Sequence, residues 1–139
     1  MPRKKRDRRL LAPPAIKGLS VYGPRNRSEQ IMLFFEEYES IKLLDYDNLT
    51  QEEAAVCMNV SRPTLTRIYE SARNKVARSM VEGKDLIIKG GNFQFDENLF
   101  YCNTCQSRFN VFDQAETICP VCSSTDIISL NEYYAREVI

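Results

Sequence analysis

The chain has 139 residues, 43% hydrophobic and 27% charged, with 19 basic and 19 acidic side chains, no histidine and no tryptophan. That length allows one ordinary domain or two small ones with separate cores, and the balance of apolar and charged residues excludes wholesale disorder. Without histidine the usual general base near neutral pH and the usual nitrogen metal ligand are both missing, so a metal site has to be built from thiolates or carboxylates.

No apolar run approaches the roughly 20 residues that span a bilayer. MPRKKRDRRL leads into APPAIKG rather than into an apolar secretory core, so a cytoplasmic location is expected. The zero net charge hides a polarity along the chain. Residues 1–27 hold nine Lys/Arg against one Asp, residues 28–50 one against six acids, residues 51–90 seven against five, and residues 91–139 two against seven. Charge of one sign gathered at one end marks a partner of the other sign.

Residues 1–27 combine clustered Arg and Lys with Pro13, Pro14, Gly18, Gly23 and Pro24, and read as a mobile basic arm. A first helix is expected over roughly 36–46, with Tyr38, Ile41 and Leu44 at helical spacing and Glu36, Glu37, Glu39 and Asp45 facing outward. Thr50 with Glu53 three residues later forms a capping box that starts a second, short helix, which Asn59 ends in the left-handed conformation. Ser61 caps a third, Pro63 sits in its first turn, and Val60 staples onto Leu65. Leu65, Ile68, Tyr69, Ala72, Val76 and Met80 form its apolar stripe up to Gly83. DLIIKGGNFQF then reads as a strand or hairpin, with a domain boundary near residues 90–95.

Two short capped helices joined by a tight turn match a helix-turn-helix. On the third helix Arg67, Ser71, Asn74 and Arg78 lie opposite the apolar stripe, with Arg62, Thr64 and Thr66 at the leading end. Such a helix fits the DNA major groove, its first turn meeting base edges and its free N–H groups favouring phosphate. Arg62, Thr66 and Arg67 are assigned to base edges, and Ser61, Thr64, Arg73 and Lys75 to phosphates or groove walls. In the arm, Arg3, Lys4, Lys5, Arg6, Arg8 and Arg9 would follow phosphates or enter an adjacent minor groove. The competing interpretation is an ordinary helical hairpin whose Arg and Thr residues form a solvated face.

The basic start, LTQEEAA, VSRPT, ESARNKVA, VEGK and GG occur in that order, and over roughly residues 1–93 the chain resembles uncharacterised protein family 0251, also called domain of unknown function 134. The resemblance implies a transcription regulator whose helix-turn-helix is similar to region 4 of bacterial sigma factors. Two departures stand out: Asn59 where these proteins typically carry Gly, and Phe35 where a polar residue is usual.

Cys102 and Cys105 form one C-x-x-C and Cys119 and Cys122 another, thirteen residues apart. Two such knuckles can offer four thiolates to one tetrahedral ion, and zinc fits best. Rubredoxin-like iron and a pair of disulfides are the alternatives, the latter disfavoured in a cytoplasmic protein. A domain of about 45 residues would be marginal without the metal. Some members of the resembled family also carry a C-terminal cysteine-pair extension. The knuckles have Gln106 and Ser123 where Gly is common after the second cysteine. Excess acid in residues 91–139 disfavours phosphate and suits a protein partner, a second subunit or plain stability, with Phe109, Phe112, Tyr133 and Tyr134 as candidate contacts and the two Phe better suited to a core. Cys57 reads as a small buried hydrophobe.

The expected fold is therefore a mainly α helix-turn-helix domain followed by a small β zinc ribbon, organised as a basic arm (1–27), a DNA-binding domain (28–92) and a four-cysteine ribbon (93–139). The expected function is sequence-specific binding of double-stranded DNA as a transcription regulator, with Zn2+ as cofactor and no enzymatic activity. A homodimer on a palindromic site is compatible, since one short helix reads few base pairs. The rivals are an adaptor contacting the transcription machinery through the ribbon, and a metal or redox sensor.

Overall fold

The computed structural model describes residues 8–10, 13–23, 29–91, 93–111 and 118–137, so Arg3, Lys4, Lys5, Arg6 and Phe112 lie outside the described residues. The chain divides into two units, Met1–Gln94 and Phe95–Ile139. Four α-helices and several short strands make up the described residues, and no helix among them is long and apolar enough to cross a membrane.

The first unit runs β1 (Arg8–Leu10), β2 (Gly18–Leu19), β3 (Ile31–Leu33), α1 (Phe35–Ile41) continuing as a π-helical turn (Lys42–Tyr46), α2 (Gln51–Cys57), α3 (Arg62–Glu82) and β4 (Leu86–Ile88). β5 (Phe93–Phe95) carries the chain across the boundary. β4 is the central strand of a three-stranded sheet, antiparallel to β2 and parallel to β3, with Leu33 opposite Ile88 and Gly18 opposite Ile87. Gly18 has to be glycine here, because a Cβ would collide with the carbonyl oxygen of Leu86. Two pieces of the stretch expected to be a mobile arm, β1 and β2, are thus strands.

α1 departs most from the sequence reading. Glu36, Glu37 and Glu39, expected to face outward, are all buried, because α1 packs between β1 and α3. Buried carboxylates persist only when matched. Arg8 Nε lies 3.2 Å from Glu36 Oε2, and Lys75 Nζ 2.6 Å from Glu37 Oε1. Phe34 stands at the N-cap position and offers no acceptor, but Glu37 Oε1 reaches back to accept from its backbone N–H at 2.8 Å, which keeps half of a capping box. Phe35 is buried against the ring of Phe93, with centroids 4.6 Å apart.

α2 starts where the capping box requires: Thr50 Oγ1 accepts from Glu53 N–H at 3.1 Å, and Glu53 Oε1 accepts from Thr50 N–H at 3.2 Å. Asn59 (φ 55°) is left-handed, Ser61 caps α3 through Thr64 N–H, and Gly83 (φ 66°) ends it. Leu43, Ala54, Ala55, Met58 and Leu65 form a core sealed by Leu44, Leu49, Cys57, Val60 and Ile68. Alanines at 54 and 55 let α2 approach α3 closely. The apolar stripe of α3 stops short of its expected end: Met80 is 77% exposed and Ser79 is buried in its place, its hydroxyl donating to Lys84 O at 2.6 Å where the chain turns toward β4.

The second unit is a three-stranded antiparallel sheet, β7 (Arg108–Asn110), β6 (Leu99–Cys102) and β8 (Ile127–Ser129) in that order, followed by α4 (Leu130–Glu137). Phe100 pairs with Phe109 and Cys102 with Ile127. Among its described residues Phe95, Tyr101, Val111, Leu130 and Tyr134 are buried beside Cys102 and Cys119. Asn131 brackets Phe95, accepting from its N–H at 2.7 Å and donating to its carbonyl at 3.0 Å. Of the aromatic residues expected to meet a partner, Tyr134 is buried, 5.3 Å from the Phe95 ring, and Tyr133 stacks on Tyr101 at 4.1 Å, because both lie on α4, a helix that the sequence reading did not anticipate.

Candidate metal centre and the exposed face of the third helix

The two C-x-x-C segments are built alike. In the first, Cys102 N–H donates to Ser107 O and Gln106 N–H to Cys102 O; in the second, Cys119 N–H donates to Ser124 O and Ser123 N–H to Cys119 O, each at 2.9 Å. Each turn curls back so that an amide points at its first sulfur: Cys105 N–H at 3.5 Å from Cys102 Sγ, and Val121 N–H at 3.4 Å from Cys119 Sγ. Gln106 (φ 64°) and Ser123 (φ 62°) close the turns in the left-handed region that glycine adopts without strain. The departure seen in the sequence is thus met by the same backbone geometry. Thr104 and Ser124 join the two turns through their hydroxyls at 2.9 Å, and Asn103 donates to Asp126 at 3.0 Å.

All four sulfurs lie within 4.8 Å of one another, and the pairs Cys102–Cys122 and Cys105–Cys119 stand at 3.5 Å. Four sulfurs held tetrahedrally at about 2.3 Å from one ion are roughly 3.8 Å apart, so the cluster matches such a coordination sphere. Its electrostatics also suits a cation. The Ser107 hydroxyl, 3.1 Å from the sulfur, and the Ser107 amide lower the Cys105 thiol to about 6, and the Cys105 amide lowers Cys102. The Ser124 amide pulls Cys122 down, but burial and the three neighbouring sulfurs outweigh it and push the thiol up to about 12. Four thiolates so close repel one another, and a divalent ion removes that repulsion. The four cysteines could hold a metal ion such as zinc, whose effect would be to tie the end of β6 and the first knuckle to the second knuckle.

The residues assigned to DNA fall into two groups. Ser61, Arg62, Arg67 and Arg73 are exposed, with Thr64 half-buried behind Ser61. The Arg73 guanidinium lies 5.3 Å from the ring centre of Tyr69. Lys75 belongs to the other group: its ammonium is held by Glu37 and sits 4.0 Å from the centre of the Phe34 ring, so it is turned into the unit rather than toward a phosphate. Arg8 is likewise engaged with Glu36, whereas Arg9 is exposed and its backbone N–H donates to Met58 O at 3.0 Å. Thr66 is half-buried, its Oγ1, with a single proton to donate, lying 3.0 Å from two acceptors, Arg62 O and Gln51 Oε1. Gln51 and Glu52, which sequence reasoning passed over, share this edge: Glu52 Oε1 accepts from Arg62 Nη1 at 3.0 Å. Only the capping box at Thr50 hinted that the first turn of α2 would stand beside that of α3.

A family model described as "Protein of unknown function DUF134" matches residues 1–96. Relatives bearing the printed name "UPF0251 protein" are similar over nearly the whole chain. That of Methanothermobacter thermautotrophicus is 35% identical over 129 residues, covering 91% of this chain and 67% of the relative. That of Chloroherpeton thalassium is 35% identical over 136 residues (96% and 90%), and that of Caldicellulosiruptor saccharolyticus 40% over 127 residues (91% and 88%). No solved structure matches.

Proposed function

The chain belongs to the DUF134 family, and from that premise we propose that it is a sequence-specific DNA-binding protein that regulates transcription, without catalysis of its own. In this reading α2 and α3 act as a helix-turn-helix, residues 95–139 as a structural zinc ribbon, and a homodimer on a palindromic duplex supplies the second half of the site.

The observation that carries the reading is the exposed first half of α3. Its inner side is fixed by Leu65 and Ala72, both fully buried, while Arg62, Arg67 and Arg73 reach solvent from the other side. A helix braced on one flank and cationic on the other suits the major groove, whose width accepts one helix and whose base edges meet its first turns. Arg62 and Arg67 are the proposed base readers, and Ser61, Thr64, Arg73 and Arg9 the proposed phosphate contacts. Lys75 and Arg8 leave the phosphate set, since their charges are matched by buried carboxylates. Thr66 contributes by fixing the helix against Gln51.

Selection from a random duplex library tests this: a recurring motif is expected, and Arg67→Ala should weaken it by about 1–3 kcal/mol while affecting scrambled DNA less. Recovery of no motif would contradict the reading. A second reading, an adaptor acting through the ribbon, draws on one observation: Val121 and Ile118 are exposed at the second knuckle of an acid-rich unit that repels phosphate. An adaptor would bind duplexes with steep salt dependence and no sequence preference.

A further inference from the structure

Two contacts join the first turn of α2 to the first turn of α3, and both fall on the face proposed to read DNA. Glu52 Oε1 is 3.0 Å from Arg62 Nη1, and Gln51 Oε1 is 3.0 Å from Thr66 Oγ1. The ion pair is open to water, the side chains being 61% exposed at Arg62 and 73% at Glu52, so it contributes little to folding. A carboxylate in that position also repels phosphate and lowers affinity for any duplex. Its cost is recovered only if it changes what Arg62 does.

We infer that Glu52 is a positioning residue for Arg62: it occupies one edge of the guanidinium and so directs the remaining N–H groups at a base edge rather than at the phosphate backbone. Arginine carries five donors in a planar fork, and a carboxylate on one edge leaves the other edge able to make a bidentate contact. Holding the long side chain before binding also lowers the ordering cost of that contact. Arg62 without Glu52 is a freely rotating cation that any phosphate satisfies. The pair therefore converts an arginine that would raise affinity everywhere into one that raises preference for one sequence, and Gln51 keeps the two first turns in register through Thr66. The inference rests on the DNA-binding reading above.

The test uses the full chain with its metal and compares Glu52→Ala, Glu52→Gln, Arg62→Ala and the double variant Glu52→Ala/Arg62→Ala, on a library-selected duplex and a scrambled one across a salt series. Far-UV circular dichroism checks that each variant folds. For Glu52→Ala, affinity for the scrambled duplex is expected to rise roughly five- to tenfold, with the salt slope steeper by about one. Preference for the selected duplex is expected to fall about tenfold. Glu52→Gln, which keeps an acceptor and loses the charge, should lie between. The loss of preference should vanish in the Arg62→Ala background. In the absence of DNA, relaxation of the Arg62 Nε–H group should report a more mobile side chain in Glu52→Ala than in the parent protein. Equal mobility, an unchanged preference, or the same loss of preference without Arg62 each overturns the role of Glu52. If the parent protein prefers no duplex, the DNA-binding reading fails and takes this inference with it; if that preference is intact and Glu52→Ala leaves it so, only the inference fails.

Discussion

Lys75→Met separates a structural lysine from a phosphate-binding one. In the fold, the Lys75 ammonium lies 2.6 Å from Glu37 Oε1, and the carboxylate also accepts from Ser71 Oγ and from the Phe34 N–H at 2.8 Å. The Glu37 side chain is 4% exposed and that of Lys75 21%. Methionine keeps an aliphatic stem of similar length and deletes the ammonium, including its contact with the Phe34 ring, leaving a buried carboxylate with two neutral donors. Removing one partner of a buried pair costs about 3–5 kcal/mol. The retained donors and the partial exposure of Lys75 put the expected loss near the lower end, about 3 kcal/mol. Urea unfolding followed by far-UV circular dichroism, to which α1–α3 contribute most of the helical signal, gives that number from the shift in midpoint at constant slope. Glu37→Gln/Lys75→Met should recover much of the loss, because no charge then remains buried. A change within about 0.5 kcal/mol for Lys75→Met would place the side chain among ordinary surface lysines and refute the buried network.

Cys102→Ser should abolish stoichiometric metal binding and collapse the amide dispersion of residues 95–139 while the helices of the first unit keep their signals; full metal content in the variant would refute a four-cysteine centre. Gln106→Gly and Ser123→Gly should each strengthen the loaded ribbon by about 0.5–1 kcal/mol, because both positions are left-handed, and a competitive chelator titration reads this as severalfold tighter metal binding. Metal affinity should fall as pH falls, since the ion displaces thiol protons. Cys122, at about 12, gives up a proton throughout the physiological range, whereas Cys105, at about 6, contributes one only as pH drops through that value. Calorimetry in buffers of different ionisation enthalpy should therefore find more protons released per metal at pH 5.5 than at pH 8, roughly three-quarters of a proton more from Cys105 alone.

Features set by neighbours along the chain were legible before the fold was known. The Thr50–Glu53 box, the left-handed Asn59, the Ser61 cap, the Gly83 stop and the two sulfurs within each C-x-x-C pair depend on residues a few positions apart. What escaped was set by distant partners. Periodicity sends a glutamate outward by default, and nothing local to Glu37 announces a lysine 38 residues further on. The same holds for Arg8, which reads as one more charge in a basic cluster until Glu36 is placed beside it. Met80 continued the helical stripe in the sequence, but the chain reversal after Gly83 covers Ser79 instead. In the second unit, α4 was missed although Ser129 caps it, accepting from Glu132 N–H at 3.2 Å, because Ser129 is also the last residue of β8 and the segment read as strand. The candidate reading face was legible in its composition, whereas its link to Gln51 and Glu52 needed three dimensions.

The most direct measurement is an amide chemical-shift titration of the metal-loaded protein with a library-selected duplex. The account predicts that the largest shifts fall on residues 61–67 and on the start of α2, with the buried cluster around Glu37 and Lys75 little changed. Shifts confined to residues 95–139, or absent while those residues bind another partner, would contradict it.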